Sequence, residues 1–250
     1  MGYKVLFVVV FGVFFMSAKN DKKLLIIGHR GASGREIENT LDSFEKAINF
    51  GVDMIELDVH VCKSGHLVVF HDETIDRLTG ESGRIADLTL AQLRKLRLKK
   101  EAKIPTLEEV LQLVNKRCKV DIELKGAGTG KSTALMVRRF LKKGWLPEHF
   151  MVTSFNFYEL NDFHDALSHI PIGIIFDRLP IDYTLFAQQF GAHSIFMNYT
   201  LLTPSMMERA KARGLIVFAW TVNKIMDAKK LVKLGVDGIV TAFPNKLVSR

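Results

Sequence analysis

Cysteine is scarce. The 250 residues contain two, Cys62 and Cys118, too few for a disulfide framework. No Cys-x-x-Cys pair is present, which removes the usual zinc-ribbon and dithiol redox sites. Both cysteines fall in or beside strand-like stretches, where a buried free thiol is expected. A membrane-spanning run is also missing from the start of the chain. Val5–Met16 is uncharged but has twelve residues, whereas a spanning helix takes about 20. That length suits a signal-peptide core. Against cleavage, Met16-Ser17-Ala18 is a poor small-x-small site, and Lys19, Lys22 and Lys23 disfavour easy export. Residues 1–20 are therefore expected to form a signal or anchor segment, with membrane association through residues 5–16. The expected location is exported, periplasmic or membrane-anchored, with the cytoplasm as the alternative. Gly2 has no Ser or Thr at position 6, so myristoylation is unsupported. Basic residues crowd between Arg94 and Lys103 without interleaved aromatics, which argues against a nucleic-acid platform. No low-complexity tract occurs, nor any linker long enough to separate a second domain.

What is present is an ordinary globular composition, 48% apolar and 25% charged, able to bury a large core. The net charge of +8 favours anionic partners, or is simply a solvated basic surface. After the first segment one unit recurs: an amphipathic run, a glycine, then a short apolar run. Gly51, Gly144, Gly191, Gly214 and Gly235 stand where left-handed helix caps are needed. Thr106-Leu107-Glu108-Glu109 is a capping box, and Thr203-Pro204 an N-cap with proline at the first helical position. Strands are expected at Leu25–His29, Met54–Val61, Val120–Lys125, Met151–Ser154, Gly173–Phe176, Ser194–Met197, Leu215–Trp220 and Gly238–Thr241. Eight such strands alternating with helices predict an α/β fold, a (β/α)8 TIM barrel over residues 24–250. An open doubly wound sheet is the alternative. Lys63-Ser64-Gly65-His66 reads as a turn, folding Leu67–Phe70 back as a hairpin partner. The polar, irregular stretch that follows, about residues 74–104, reads as a small insertion after strand two, with a short helix near Leu90–Leu96.

In such a barrel the working residues lie at the C-terminal strand ends. His29 and Arg30 close the first strand. Glu56 and Asp58 are two apart, hence on one face, as are Glu123 and Lys125. His60 continues the Glu56/Asp58 face. Carboxylates in apolar strands can form structural salt bridges with Arg30 and Lys125, or they can hold a divalent cation. With no cysteine ligands, Mg²⁺ or Ca²⁺ suits such a site better than a soft metal. His29 and His71 each end an apolar run and are followed by Arg30 and Asp72. Such a pair can move protons near neutral pH.

Taken in order, His29-Arg30-Gly31, Glu38-Asn39-Thr40, Glu56-Leu57-Asp58, His71-Asp72, Pro105-Thr106-Leu107-Glu108-Glu109 and Glu123-Leu124-Lys125 form a specific set. In residues and spacing they resemble the glycerophosphodiester phosphodiesterase family, from about Leu24 to Pro244. The resemblance implies a (β/α)8 barrel and hydrolysis of glycerophosphodiesters to glycerol 3-phosphate and an alcohol. It implies His29 and His71 as the acid–base pair, and Glu56, Asp58 and Glu123 as ligands of Mg²⁺ or Ca²⁺. Arg30 and Lys125 would meet the phosphate, and Trp220 the glycerol or alcohol side. Two positions depart from the family pattern: Ile37 replaces a proline before Glu38, and Ala242 replaces an aspartate after Thr241. Two alternatives remain: a lysophospholipase D-type enzyme acting on lysolipids, and a non-catalytic barrel that binds phospholipid headgroups. Gly126-Ala127-Gly128-Thr129-Gly130-Lys131-Ser132 imitates a phosphate-binding P-loop, but only three residues separate Gly126 from the Gly-Lys pair where four are needed. A flexible loop near the site is the expected role.

Overall fold

The computed structural model describes residues 23–178 and 182–248, so the expected signal or anchor segment lies outside the described residues. Among the described residues no helix is long and apolar enough to cross a membrane. The strands are β1 Leu25–Gly28, β2 Met54–Val61, β3 Leu67–Val69, β4 Lys119–Leu124, β5 Phe150–Ser154, β6 Ile172–Phe176, β7 Ser194–Asn198, β8 Ile216–Trp220 and β9 Gly238–Thr241. All but β3 pair in parallel, and β1 joins both β9 and β2, which closes an eight-stranded barrel. β3 pairs antiparallel with β2 and hangs from the ring as the expected hairpin partner.

Closure sorts side chains by the two-residue period of the strands. Ile55, Leu57 and Val59 of β2, with Val120, Ile122 and Leu124 of β4, face the layer between barrel and helices. Inside, Ile27, Met54, Met151, Ile175, Phe196, Phe218 and Val240 form a separate apolar plug. The inward positions that follow Met54 on β2 are Glu56, Asp58 and His60. On β4 they are Asp121 and Glu123. The apolar side chains thus fill part of the barrel, and acids line the remainder.

The helices that precede and follow the strands obey their caps. They are α1 Leu41–Phe50, α2 Asp76–Thr79, α3 Leu90–Leu93, α4 Leu107–Val114, α5 Thr129–Leu141, α6 Phe157–Ala166, α7 Tyr183–Gln189, α8 Pro204–Ala212 and α9 Ile225–Leu234. Thr40 accepts from the Ser43 N–H at 3.2 Å, and the Thr106/Glu109 capping box forms as read. The five predicted cap glycines all have positive φ, from +70° to +86°.

Two expectations needed revision. The insertion is not merely polar: Ile75, Ile85, Leu93, Leu96, Leu98 and Ile104 bury with Cys62, Val68 and Phe70 in a small core of their own. Its apolar residues follow neither a helical nor a strand period, so no local pattern announced them. The glycine-rich stretch after β4 is also no flexible loop. Glu159 of α6, itself buried, accepts from the N–H of Gly128 at 2.8 Å and of Gly130 at 2.7 Å. A carboxylate of the chain already fills the anion position at the start of α5, and Lys131 turns outward toward Asp162 at 3.5 Å.

Candidate active site

His29, Arg30, Glu56, His71, Glu123, Lys125 and Trp220 line one cavity of about 190 Å³. Glu56 projects inward from within β2, and the others lie in the last two residues of a strand or the two just past it. The β-ladder continues there: the His29 N–H donates to Thr241 O at 2.9 Å, Phe70 N–H to Asp58 O at 3.0 Å and Lys125 N–H to Val59 O at 3.2 Å. These bonds extend the ladder to the residues that line the cavity. Gly31 is required beside them. Its φ is +82°, and a Cβ there would meet Ser43 Oγ at 2.5 Å.

Glu56, Asp58 and Glu123 each offer an oxygen, and these oxygens lie within 4.8 Å of one another. One oxygen of each carboxylate is clamped. The Arg30 N–H donates to Glu56 Oε2 at 2.7 Å. Asn39 Nδ2 donates to Asp58 Oδ2 at 2.8 Å, and Lys125 Nζ to Glu123 Oε1 at 2.8 Å. Glu56 Oε1 and Asp58 Oδ1 are buried and have no hydrogen-bond partner among the described residues. Unpartnered buried carboxylate oxygens are costly, so they mark a place for a cation. Burial first, then Asp58 and Glu123, push the Glu56 carboxyl well above the usual range. Burial and Asp58 raise Glu123 to about 7, with Lys125 working the other way. The all-oxygen donor set fits a hard divalent ion.

The two imidazoles differ in setting. Burial, then the neighbouring Arg30 charge, lowers His29 to about 4. His71 Nδ1 lies 2.7 Å from Asp72 Oδ1, and its Nε2 lies 3.3 Å from Lys125 Nζ. An ammonium only donates, so Nε2 accepts and Nδ1–H donates to Asp72. This fixes the tautomer that turns the Nε2 lone pair toward Lys125. Burial works against the ionised form of Asp72, but hydrogen bonds from Arg77 and His71 outweigh it and hold the carboxyl at about 2.

Several contributors were not assigned from sequence. Asn39 grips Asp58 through both amide atoms, with φ of +58°, a conformation asparagine tolerates. Glu38 joins Arg30, at 2.8 Å, to Arg77 of α2, at 2.7 Å. Arg77 also holds Asp72, so an unbroken chain of polar contacts runs from His71 through Asp72, Arg77 and Glu38 to Arg30. The His71-Asp72 and Glu38-Asn39 pairs were visible signals, whereas nothing local pointed to Arg77. His60 does not enter the carboxylate cluster. Its Nε2 lies 3.1 Å from the His71 carbonyl oxygen, so it buttresses the backbone under the second imidazole. Asp121, inward and one step before Glu123, accepts from Thr153 Oγ1 at 2.8 Å. Phe155, Ile175, Phe196, Trp220 and Val240 make the opposite wall apolar, with Phe155 edge-on to Trp220 at 5.6 Å. Neither departure from the family pattern enters this cavity. Ile37 packs against the insertion core, and the Ala242 N–H donates to Asn223 Oδ1 at 2.9 Å.

Known proteins share this arrangement of fold and sequence. The model of the glycerophosphoryl diester phosphodiesterase family matches residues 29–246. A glycerophosphodiester phosphodiesterase of Caldanaerobacter subterraneus is 36% identical over 236 residues, covering 91% of this chain and 97% of the relative. A human lysophospholipase D, GDPD1, is 26% identical, covering 88% and 84%. Among solved structures, an Oleispira antarctica phosphodiesterase in complex with sn-glycerol-3-phosphate superimposes with a TM-score of 0.83 at 27% identity, covering 89% of this chain and 94% of that one. The chain belongs to the glycerophosphoryl diester phosphodiesterase family.

Proposed function

We propose that this cavity hydrolyses glycerophosphodiesters to glycerol 3-phosphate and an alcohol, with His29 and His71 moving the protons. The observation that carries the reading is the meeting of two imidazoles, two cationic side chains and the Glu56 and Glu123 carboxylates in one cavity, with the buried Asp58 carboxylate clustered against those two. Glu56, Asp58 and Glu123 would hold a divalent cation, Mg²⁺ or Ca²⁺. When bound, that ion withdraws charge from the phosphoryl oxygens as a Lewis acid. Arg30 and Lys125 face the same cavity and add positive charge where the transition state becomes more negative. One imidazole accepts a proton from the attacking oxygen, a water or the glycerol hydroxyl, as it bonds to phosphorus. The other supplies one to the alcohol oxygen whose bond to phosphorus breaks. Where the glycerol hydroxyl attacks, a water then opens the cyclic ester to glycerol 3-phosphate. Asp72 keeps His71 in a single tautomer for its part in this exchange. The apolar wall of Phe155 and Trp220 packs the carbon skeleton of the glycerol or alcohol side.

The apolar wall, together with the similarity to a lysophospholipase D, favours lysolipids as a second substrate class. Turnover on glycerophosphocholine and on lysophosphatidylcholine separates the two. Faster release of choline from glycerophosphocholine supports the proposal, and turnover of the lysolipid alone overturns it. No turnover of either, with Mg²⁺ or Ca²⁺ supplied, would leave the non-catalytic headgroup-binding barrel as the reading. A p-nitrophenyl phosphodiester distinguishes the histidines. Nitrophenolate leaves without protonation, so the variant lacking the proton-donating imidazole keeps activity on it and the other does not.

A further inference from the structure

The outer face of α9 carries a surface that neither the barrel core nor the catalytic cavity uses. Ile225, Met226 and Val232 are among the exposed large apolar side chains, Met226 at 66% and Val232 at 50%. Lys229, Lys230 and Lys233 are exposed on the same helix. Separations of three and four residues put these two sets on one broad face. A groove of about 520 Å³ runs along it, lined by apolar side chains and by Lys229, Lys230, Lys233 and Lys246, with no acidic side chain in the lining. The acid on the helix, Asp227, lies 3.7 Å from Lys230 and is mostly covered. Leu24 also lines the groove, and in the sequence Leu24 lies just after the basic and apolar stretch that runs from Val5 to Lys23.

We propose that the α9 face rests on an anionic membrane surface, with the lysines at the headgroups and Met226 and Val232 at the acyl boundary. Lysine ammoniums interspersed with exposed aliphatic side chains are what an interfacial helix presents. A second copy of the chain fits poorly, because a twofold contact would set four lysines against four lysines. A nucleic-acid strand fits poorly as well, because the groove offers aliphatic rather than stacking side chains.

The test uses the full chain and sedimentation with vesicles of phosphatidylglycerol and phosphatidylcholine, against vesicles of phosphatidylcholine alone. Expected is binding to the anionic vesicles to which each lysine near the surface contributes about fivefold, and which weakens with salt. The triple substitution Lys229→Glu, Lys230→Glu, Lys233→Glu should lower the partition coefficient at least tenfold. Met226→Asp should weaken it separately, and turnover of a soluble glycerophosphodiester should not change in either variant. Should charge reversal disturb turnover, the corresponding triple change to Gln provides the same comparison with less repulsion. Undiminished binding in these variants would assign attachment to residues 5–16 and overturn the proposal. So would equal binding to both vesicle types, or no binding to either.

Discussion

Replacing Glu123 by Gln should make the metal-free protein more stable while removing its activity. In the chelated protein Glu123 stands beside Asp58 and Glu56 with little solvent to separate their charges. Raising its carboxyl from the ordinary 4.5 to about 7 means that the ionised form is disfavoured by about 3 kcal/mol. The folded-state value is the higher one. The associated stability is therefore complete below pH 4.5 and is lost as pH rises through 7. The substituted amide stays neutral and still offers an oxygen to Lys125. At pH 8 in EDTA, the variant should unfold at a midpoint roughly 6–12 °C above the parent for that energy difference. The gap should close towards pH 5. Added Mg²⁺ or Ca²⁺ should stabilise the parent by more than the variant, because binding to the native state alone raises stability. Differential scanning calorimetry in EDTA from pH 5 to 8, with and without the cation, reads all three effects. A parent whose midpoint is flat over this range, or a variant no more stable at pH 8, would refute the crowded-carboxylate argument.

Other outcomes test separate parts of the site. His29→Ala and His71→Ala should each lower kcat by about 10²–10⁴ with the far-ultraviolet circular dichroism unchanged; near-normal turnover in either removes it from the mechanism. Thorough chelation should abolish turnover, and titration with Mg²⁺ or Ca²⁺ should restore it. Arg77→Ala should lower kcat about tenfold or more through loss of His71 alignment, with Arg77→Lys recovering part of it. Arg77 is nearly half exposed, so its ion pairs should add no more than about 1 kcal/mol of stability each; a large fall in melting temperature would show a structural role instead. Glu159→Ala leaves the Gly128 and Gly130 N–H groups without their acceptor and should cost about 2–4 kcal/mol. Its KM should stay unchanged, as no α5 residue lines the cavity.

Much of this protein was set by periodicity that sequence displays directly. Alternation of apolar runs with capped amphipathic helices specified the barrel. The two-residue period put Glu56 with Asp58 and Asp121 with Glu123 on inward faces, because side-chain direction along a strand is a local property. The histidines at the ends of apolar runs were legible for the same reason. Tertiary structure decided which oxygen of Glu56 and of Asp58 stayed without a hydrogen bond. That depends on Arg30 and Asn39 arriving from the loop after β1, a meeting fixed only when β1 closes against β2 and β9. It also recruited Arg77 to His71 through Asp72, reassigned His60 to the His71 backbone, and filled the apparent phosphate loop with Glu159. Each of these contacts joins residues whose spacing has no helical or strand period. These contacts form only once the strands, the insertion and the helices are packed together, and a local pattern carries no record of that distance.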